Sequence, residues 1–167
     1  MRLLLVRHAK AEVRSWSAYP DDDLRPLSET GKTEQHEMSR AMIRMRISFD
    51  YLVSSPRLRA LQTAKIISKE YEWASPIERS DLLGDDFTVD GVINWLVQNQ
   101  DEAKVVCVGH EPDLSELASA MIAGDDSVHI DFKKSAVLAI DFDGNPAVGK
   151  GILRYFLRPK QILALAR

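Results

Sequence analysis

Short apolar runs alternate along the chain with longer amphipathic stretches. Leu3-Leu4-Leu5-Val6 is apolar at every position, the pattern of a strand buried on both faces. Met38, Ala41, Met42 and Met45 recur at helical spacing, and Ser28 is a suitable N-cap for that helix. Tyr51-Leu52-Val53 predicts a second strand. Ser55-Pro56 then reads as an N-cap followed by proline at the first helical position, with Ala60, Leu61, Ala64, Ile67 and Tyr71 carrying the helix onward. Ser75-Pro76 breaks the pattern, and a short extended piece is expected around Ile77. Val89, Val92, Ile93, Leu96 and Val97 mark another helix, capped by Thr88. Val105-Val106-Cys107-Val108 predicts a third buried strand. Leu114, Leu117, Ala118 and Met121 form the next helical stripe, which Gly124 ends. Ala136 to Phe142 and Ile152 to Leu157 read as two strands joined by a turn around Asp143-Gly144-Asn145-Pro146.

Strand–helix alternation of this kind predicts an α/β fold: a largely parallel sheet covered on both faces, made mixed by the terminal strand pair. The chain has 167 residues and no repeat, low-complexity tract or linker, so residues 1–167 are expected to form one domain. An apolar fraction of 45% argues against disorder over the whole chain. Net charge is −3 with both signs interspersed, and no basic tail or stripe calls for a nucleic-acid partner. The single cysteine, Cys107, lies in an apolar run and cannot form an internal disulfide, which suits a reducing compartment. The apolar run at the N-terminus stops at Arg7-His8, short of the roughly 7–15 residues of a signal core. No segment approaches the ~20 apolar residues of a membrane span. The protein is expected to be soluble and cytoplasmic, with no membrane partner.

The candidate chemistry sits at three matching places. Arg7-His8 follows the first strand, Ser54-Ser55-Pro56-Arg57-Leu58-Arg59 the second and Gly109-His110 the third. Open α/β sheets bind ligands just outside the carboxyl ends of their strands. If the three strands are neighbours, two histidines and two or three arginines meet in one crevice. Arginine presents a planar fork of permanently charged donors that matches phosphate oxygens. A neutral imidazole among arginines is a phosphate-directed nucleophile, because the surrounding positive charge disfavours the imidazolium. A second histidine can donate to a transferring phosphoryl oxygen. A helix starting after Pro56 would add its positive end to the same place. On this reading alone Arg57 and Arg59 remain equivalent.

The other titratable clusters read differently. Asp21-Asp22-Asp23 lies in the irregular stretch from about Ser15 to Leu27 and reads as a solvated acidic loop, because hard-metal sites draw carboxylates from several elements. His36, on the polar face of a helix, and His129, after a loop, are expected to be structural or exposed. No spacing of histidines and cysteines suits zinc, so no metal is expected.

The chain resembles the histidine phosphatase superfamily, and within it the small phosphohistidine phosphatases of the SixA type. The segments that carry the resemblance are Leu5-Val6-Arg7-His8-Ala9-Lys10-Ala11, Arg25-Pro26-Leu27-Ser28-Glu29-Thr30-Gly31, Val53-Ser54-Ser55-Pro56-Arg57-Leu58-Arg59-Ala60-Leu61-Gln62-Thr63-Ala64 and Val108-Gly109-His110-Glu111-Pro112. They occur in family order and span most of the chain. The resemblance implies a three-layer α/β/α sandwich around a mostly parallel mixed sheet, with no metal or organic cofactor. It implies that His8 becomes phosphorylated, that Arg7 and Arg59 bind phosphate, and that His110 completes the phosphate pocket. Arg59 is chosen over Arg57 because it precedes Ala60 and Gln62-Thr63. The implied activity is removal of phosphate from protein phosphohistidine. The alternatives are a phosphatase for small phosphomonoesters and a phospho-ligand binding module without catalysis. Ala9 stands where larger family members carry glycine. Those members also carry a carboxylic general acid on an insertion. Here only Asp81, Asp85 and Asp86 occupy the corresponding region; any of them could serve as the acid, though none is a convincing match to the family's. The shortness of the chain implies an open, shallow site.

Overall fold

The computed structural model describes residues 1–99 and 103–165. Its elements are β1 (Arg2–Arg7), α1 (Glu29–Arg44), β2 (Tyr51–Ser54), α2 (Leu58–Glu70), β3 (Glu78–Arg79), α3 (Val89–Asn99), β4 (Lys104–Gly109), α4 (Asp113–Ala123), β5 (Val137–Asp141), β6 (Ile152–Leu157) and α5 (Pro159–Leu165). The strands form one sheet in the order β3-β2-β4-β1-β5-β6. β1 pairs in parallel with β4, β4 with β2, and β2 with β3, whereas β5 runs antiparallel to both β1 and β6. The terminal pair thus makes the sheet mixed, as its pattern predicts.

β1 shows why its apolar run is continuous. Leu3 and Leu5 pack with Val92, Leu96, Leu114, Leu117 and Met121, beneath α3 and α4. Leu4 and Val6 point the other way and pack with Met38, Met42, Ala60, Ala64 and Ile67 of α1 and α2. A strand alternates its side chains between faces, so one with helices on both sides must be apolar throughout. Two cores therefore flank the sheet, giving the three-layer α/β/α sandwich. Cys107 is buried in the first of them, and burial pushes its thiol up to about 12. No helix among the described residues is long and apolar enough to cross a membrane.

Several local expectations hold in detail. Ser28 caps α1 by accepting from the Gly31 amide, Thr88 accepts from the Gly91 amide at the start of α3, and Gly124 ends α4 in a left-handed conformation. Ser55 does not cap α2. The helix begins at Leu58 behind Arg57, with no side-chain cap, because the Ser55 hydroxyl lies against His110. The final helix, α5, has no counterpart in the sequence reading. Its seven residues are too few to show a period, although Pro159 at its first position is a start signal.

Gly31 is where α1 meets the loop after β1. A Cβ there would lie 1.9 Å from the Lys10 carbonyl oxygen, which also accepts from the Ser28 amide. Backbone on both sides leaves nothing to give way. Gly31→Ala should lower unfolding stability by about 1–3 kcal/mol, read as a shift in the urea midpoint. An unchanged midpoint would show that the loop moves away without cost.

Candidate active site

The order β2-β4-β1 places the three expected junctions side by side. Arg7 is in register with Gly109, and Ser54 with Val108. The ladder continues one step beyond the strands: the His8 amide donates to the Gly109 carbonyl and the Ser55 amide to the Val108 carbonyl. His8, Ser55 and His110 therefore leave the sheet at one level, and the rings of His8 and His110 lie 5.0 Å apart between centroids.

His8 is 6% exposed, and its Nδ1 is 2.7 Å from the Ala9 carbonyl oxygen. A carbonyl only accepts, so Nδ1 carries the hydrogen and Nε2 keeps its lone pair. Burial, followed by the nearby charges of Arg59 and Arg7, brings the His8 imidazole down to about 3. His110 is 3% exposed and is brought to about 2 by burial, with contributions from His8 and the arginines. Its Nε2 is 2.9 Å from Ser55 Oγ. Both histidines are thus neutral near neutral pH, as the sequence argument requires of the first.

Arg7 and Arg59 approach from opposite sides. Arg7 donates to the Phe132 carbonyl at 2.6 Å. Arg59, in the first turn of α2, is 5% exposed and donates to the Asp22 carbonyl at 2.8 Å, with the Asp22 carboxylate at 3.2 Å. Arg7 Nε, Arg59 Nε and His110 Nδ1 are buried without a hydrogen-bond partner among the described residues. An unpaired buried polar atom costs roughly 1–3 kcal/mol. Three of them around one crevice fit a site shaped for a tetrahedral oxyanion. α2 is tied to the His8 loop by Thr63, whose hydroxyl accepts from the Ala9 amide and donates to the Arg59 carbonyl.

Arg57 is less buried than Arg59 and has two carboxylate partners. It is paired with Asp23 at 3.0 Å and with Asp85. The two arginines that the residue pattern alone leaves equivalent thus differ in their partners, and the charges of both act on His110. The acidic loop also differs from its expected role. Asp22 is bonded to Arg25 and Arg59 and lies 3.8 Å from Arg14, so it is a structural partner of the site and not a solvated charge. Its bracketing by Arg14 and Arg25 is the signal in the sequence. With α2 starting at Leu58, the positive helix end lies beside Arg59 and not at Pro56.

Asp81, Asp85 and Asp86 are all exposed. Glu111, beside His110, is half-buried, and burial raises its carboxyl above the usual range even though it accepts from the Ser115 amide and hydroxyl. Sequence reasoning gave it no role. His36 is bonded to Glu70 on α2, and His129 is exposed. No cluster of three or more His, Cys, Asp or Glu side chains among the described residues is placed to hold a metal ion.

Comparisons with known proteins agree with this geometry. Residues 3–87 match the model of the histidine phosphatase superfamily, branch 1. An uncharacterized protein of Picosynechococcus sp. is 30% identical over 142 residues, 84% of each chain. The structure of the protein histidine phosphatase SixA complexed with tungstate superposes with a TM-score of 0.84 at 23% identity, over 97% of this chain and 99% of that one. A candidate phosphohistidine phosphatase SixA from Agrobacterium tumefaciens gives 0.74 at 25% identity, over 95% and 97%. By its matched sequence, its sheet order and its SixA-type architecture, the chain belongs to the histidine phosphatase superfamily, branch 1, and is a phosphatase.

Proposed function

We propose that the protein removes the phosphoryl group from phosphohistidine on other proteins, through a covalent intermediate on His8 Nε2. The observation that carries this reading is the fixed tautomer of a neutral His8, held by the Ala9 carbonyl beside Arg7, Arg59 and His110.

Arg7 and Arg59 bind the phosphoryl oxygens and spread its charge, and His110 donates a further hydrogen bond. An incoming phosphate dianion reverses the field that keeps His110 neutral, and so favours its protonated, stronger-donating form. His8 Nε2 attacks phosphorus, and the phosphorus–nitrogen bond to the substrate imidazole breaks. That imidazole picks up a proton on its free nitrogen before the bond breaks, so it departs as a neutral ring. Water then attacks phospho-His8, releases inorganic phosphate and restores the free imidazole. An alkoxide is a far stronger base than imidazole and needs a proton donor in the transition state. Asp81, Asp85 and Asp86 are exposed to water, Asp85 is paired with Arg57, and the Glu111 carboxyl accepts from Ser115 through both oxygens. A protein substrate also suits the mouth: the loop that reaches Arg59 through Asp22 carries Val13, Trp16 and Leu24, exposed by 83%, 70% and 63%.

The test compares kcat/KM on a phosphohistidine protein with that on a sugar phosphate. Phosphohistidine, phosphoramidates and aryl phosphates should react well and the sugar phosphate poorly. Asp81→Asn, Asp85→Asn, Asp86→Asn and Glu111→Gln should each retain turnover on phosphohistidine. A better rate on the sugar phosphate, or loss of turnover in one of these variants, overturns the acid-free mechanism. The small-phosphomonoester reading would then take its place.

A further inference from the structure

A cavity of about 470 Å³ opens beside Arg7, lined also by Lys10, Glu34, Lys133, Lys134, Arg158 and Lys160. These side chains come from four separate parts of the fold: the end of β1 with the loop after it, α1, the approach to β5, and α5 with the residue before it. Among the charged residues of the lining Glu34 alone is acidic, on a chain whose net charge is −3. Lys133 and Arg158 share one counter-ion, Asp131, at 2.7 and 2.8 Å. Lys10 lies close enough to Glu34 to oppose the burial that raises its carboxyl. Lys134 is only partly exposed, and burial together with the charges of Arg7, Arg25, Lys10 and Arg59 works against its protonated form. Collecting like charges in this way destabilises a fold, and an arriving anion relieves the repulsion.

We infer that this groove docks carboxylates flanking the target histidine, so that the preferred substrates are proteins with an acidic surface around the phosphohistidine. The inference rests on the phosphohistidine reading above. The kind of base present favours a protein surface over a small dianion. Lys10, Lys133 and Lys160 are exposed. They are long, flexible point charges, whereas recognition of a single carboxylate or phosphate favours a rigid guanidinium fork. Several mobile ammonium groups suit a diffuse acidic patch and steer its approach, and both effects weaken with salt.

Two synthetic peptides of equal length test this, each carrying one phosphohistidine, one flanked by glutamates and the other by glutamines. At low ionic strength the glutamate peptide should have a kcat/KM about tenfold higher, expressed in KM, with the gap closing as salt rises. The double variant K10E/K160E should abolish the gap and leave the glutamine peptide unaffected. Both positions are exposed, so the fold is not at risk. Equal kcat/KM for the two peptides, or a gap that survives in the variant, overturns the inference while the phosphohistidine reading stands. A second measurement does not depend on hydrolysis: fluorescence anisotropy of the labelled, unphosphorylated glutamate peptide should show binding to the native protein and about tenfold weaker binding to K10E/K160E. If neither peptide is hydrolysed but this difference appears, the groove is right and the phosphohistidine reading fails. No difference in anisotropy overturns the groove.

Discussion

His8→Ala should abolish the covalent intermediate and turnover together. Incubation with substrate followed by denaturation at alkaline pH should trap phosphate on His8 of the native enzyme and nowhere on the variant. The alkaline quench matters because a phosphorus–nitrogen bond to imidazole survives base and hydrolyses in acid. Removing the nucleophile of another hydrolase costs on the order of 10⁶ in kcat, and a loss of that scale is expected here. The expectation rests on geometry that no neighbouring side chain can replace. A ring at this strand end has its Nδ1 fixed by the Ala9 carbonyl and its Nε2 left unprotonated among the arginines. The pH profile supplies a second reading of the same residue. With His8 held near 3, kcat/KM corrected for ionisation of the substrate should show no fall centred on 6.5. Stability should behave differently. The unfolded chain binds protons at His8 and His110 below about 6.5 and the folded one does not, so the folded state loses stability as pH falls below that value. Phosphate recovered only on a serine, or full turnover by His8→Ala, would overturn the assignment.

Arg59→Ala should cost about 2.7–4 kcal/mol in kcat/KM, the range for losing one preorganised donor from an oxyanion site. Arg57→Ala should cost far less. The two side chains are neighbours in sequence but occupy different environments. Arg59 is 5% exposed, and its charge acts on both His8 and His110. Arg57 is more exposed and is shared between two carboxylates, Asp23 and Asp85, whereas Arg59 has one, Asp22. Circular dichroism of both variants separates lost chemistry from lost structure. Equal losses at the two positions would reject the assignment within the segment Ser55 to Arg59.

The sequence makes the layers and the site legible to different depths. β1 and β4 are apolar at nearly every position because helices cover both faces, and the sheet they imply is the sheet observed. That three junctions share one edge follows from the β2-β4-β1 order, which no local pattern contains; it depends on pairing between distant segments. The start of α2 is misread because its capping logic is local, whereas the Ser55 hydroxyl is engaged by a histidine from another strand end. Asp22 is misread for the same reason. A run of three aspartates looks solvated until the fold brings Arg59 against it. Glu111 stands in a recognisable segment, but its raised carboxyl is a product of burial, which the sequence does not display.

The central position of β1 bears on when the enzyme can act. Leu3 pairs with Val105 on one side and with Ile140 on the other. On a translating ribosome His8 leaves the exit tunnel well before β4 and β5, the strands that flank β1, and long-range pairing of this kind is slow to form. The nascent chain therefore carries His8 with Arg7 beside it but without Arg59 and His110, which the folded sheet brings to it. Competence arrives late, when β4 and β5 close on both flanks of a strand made before them, so dephosphorylation reports a finished molecule and not a growing one.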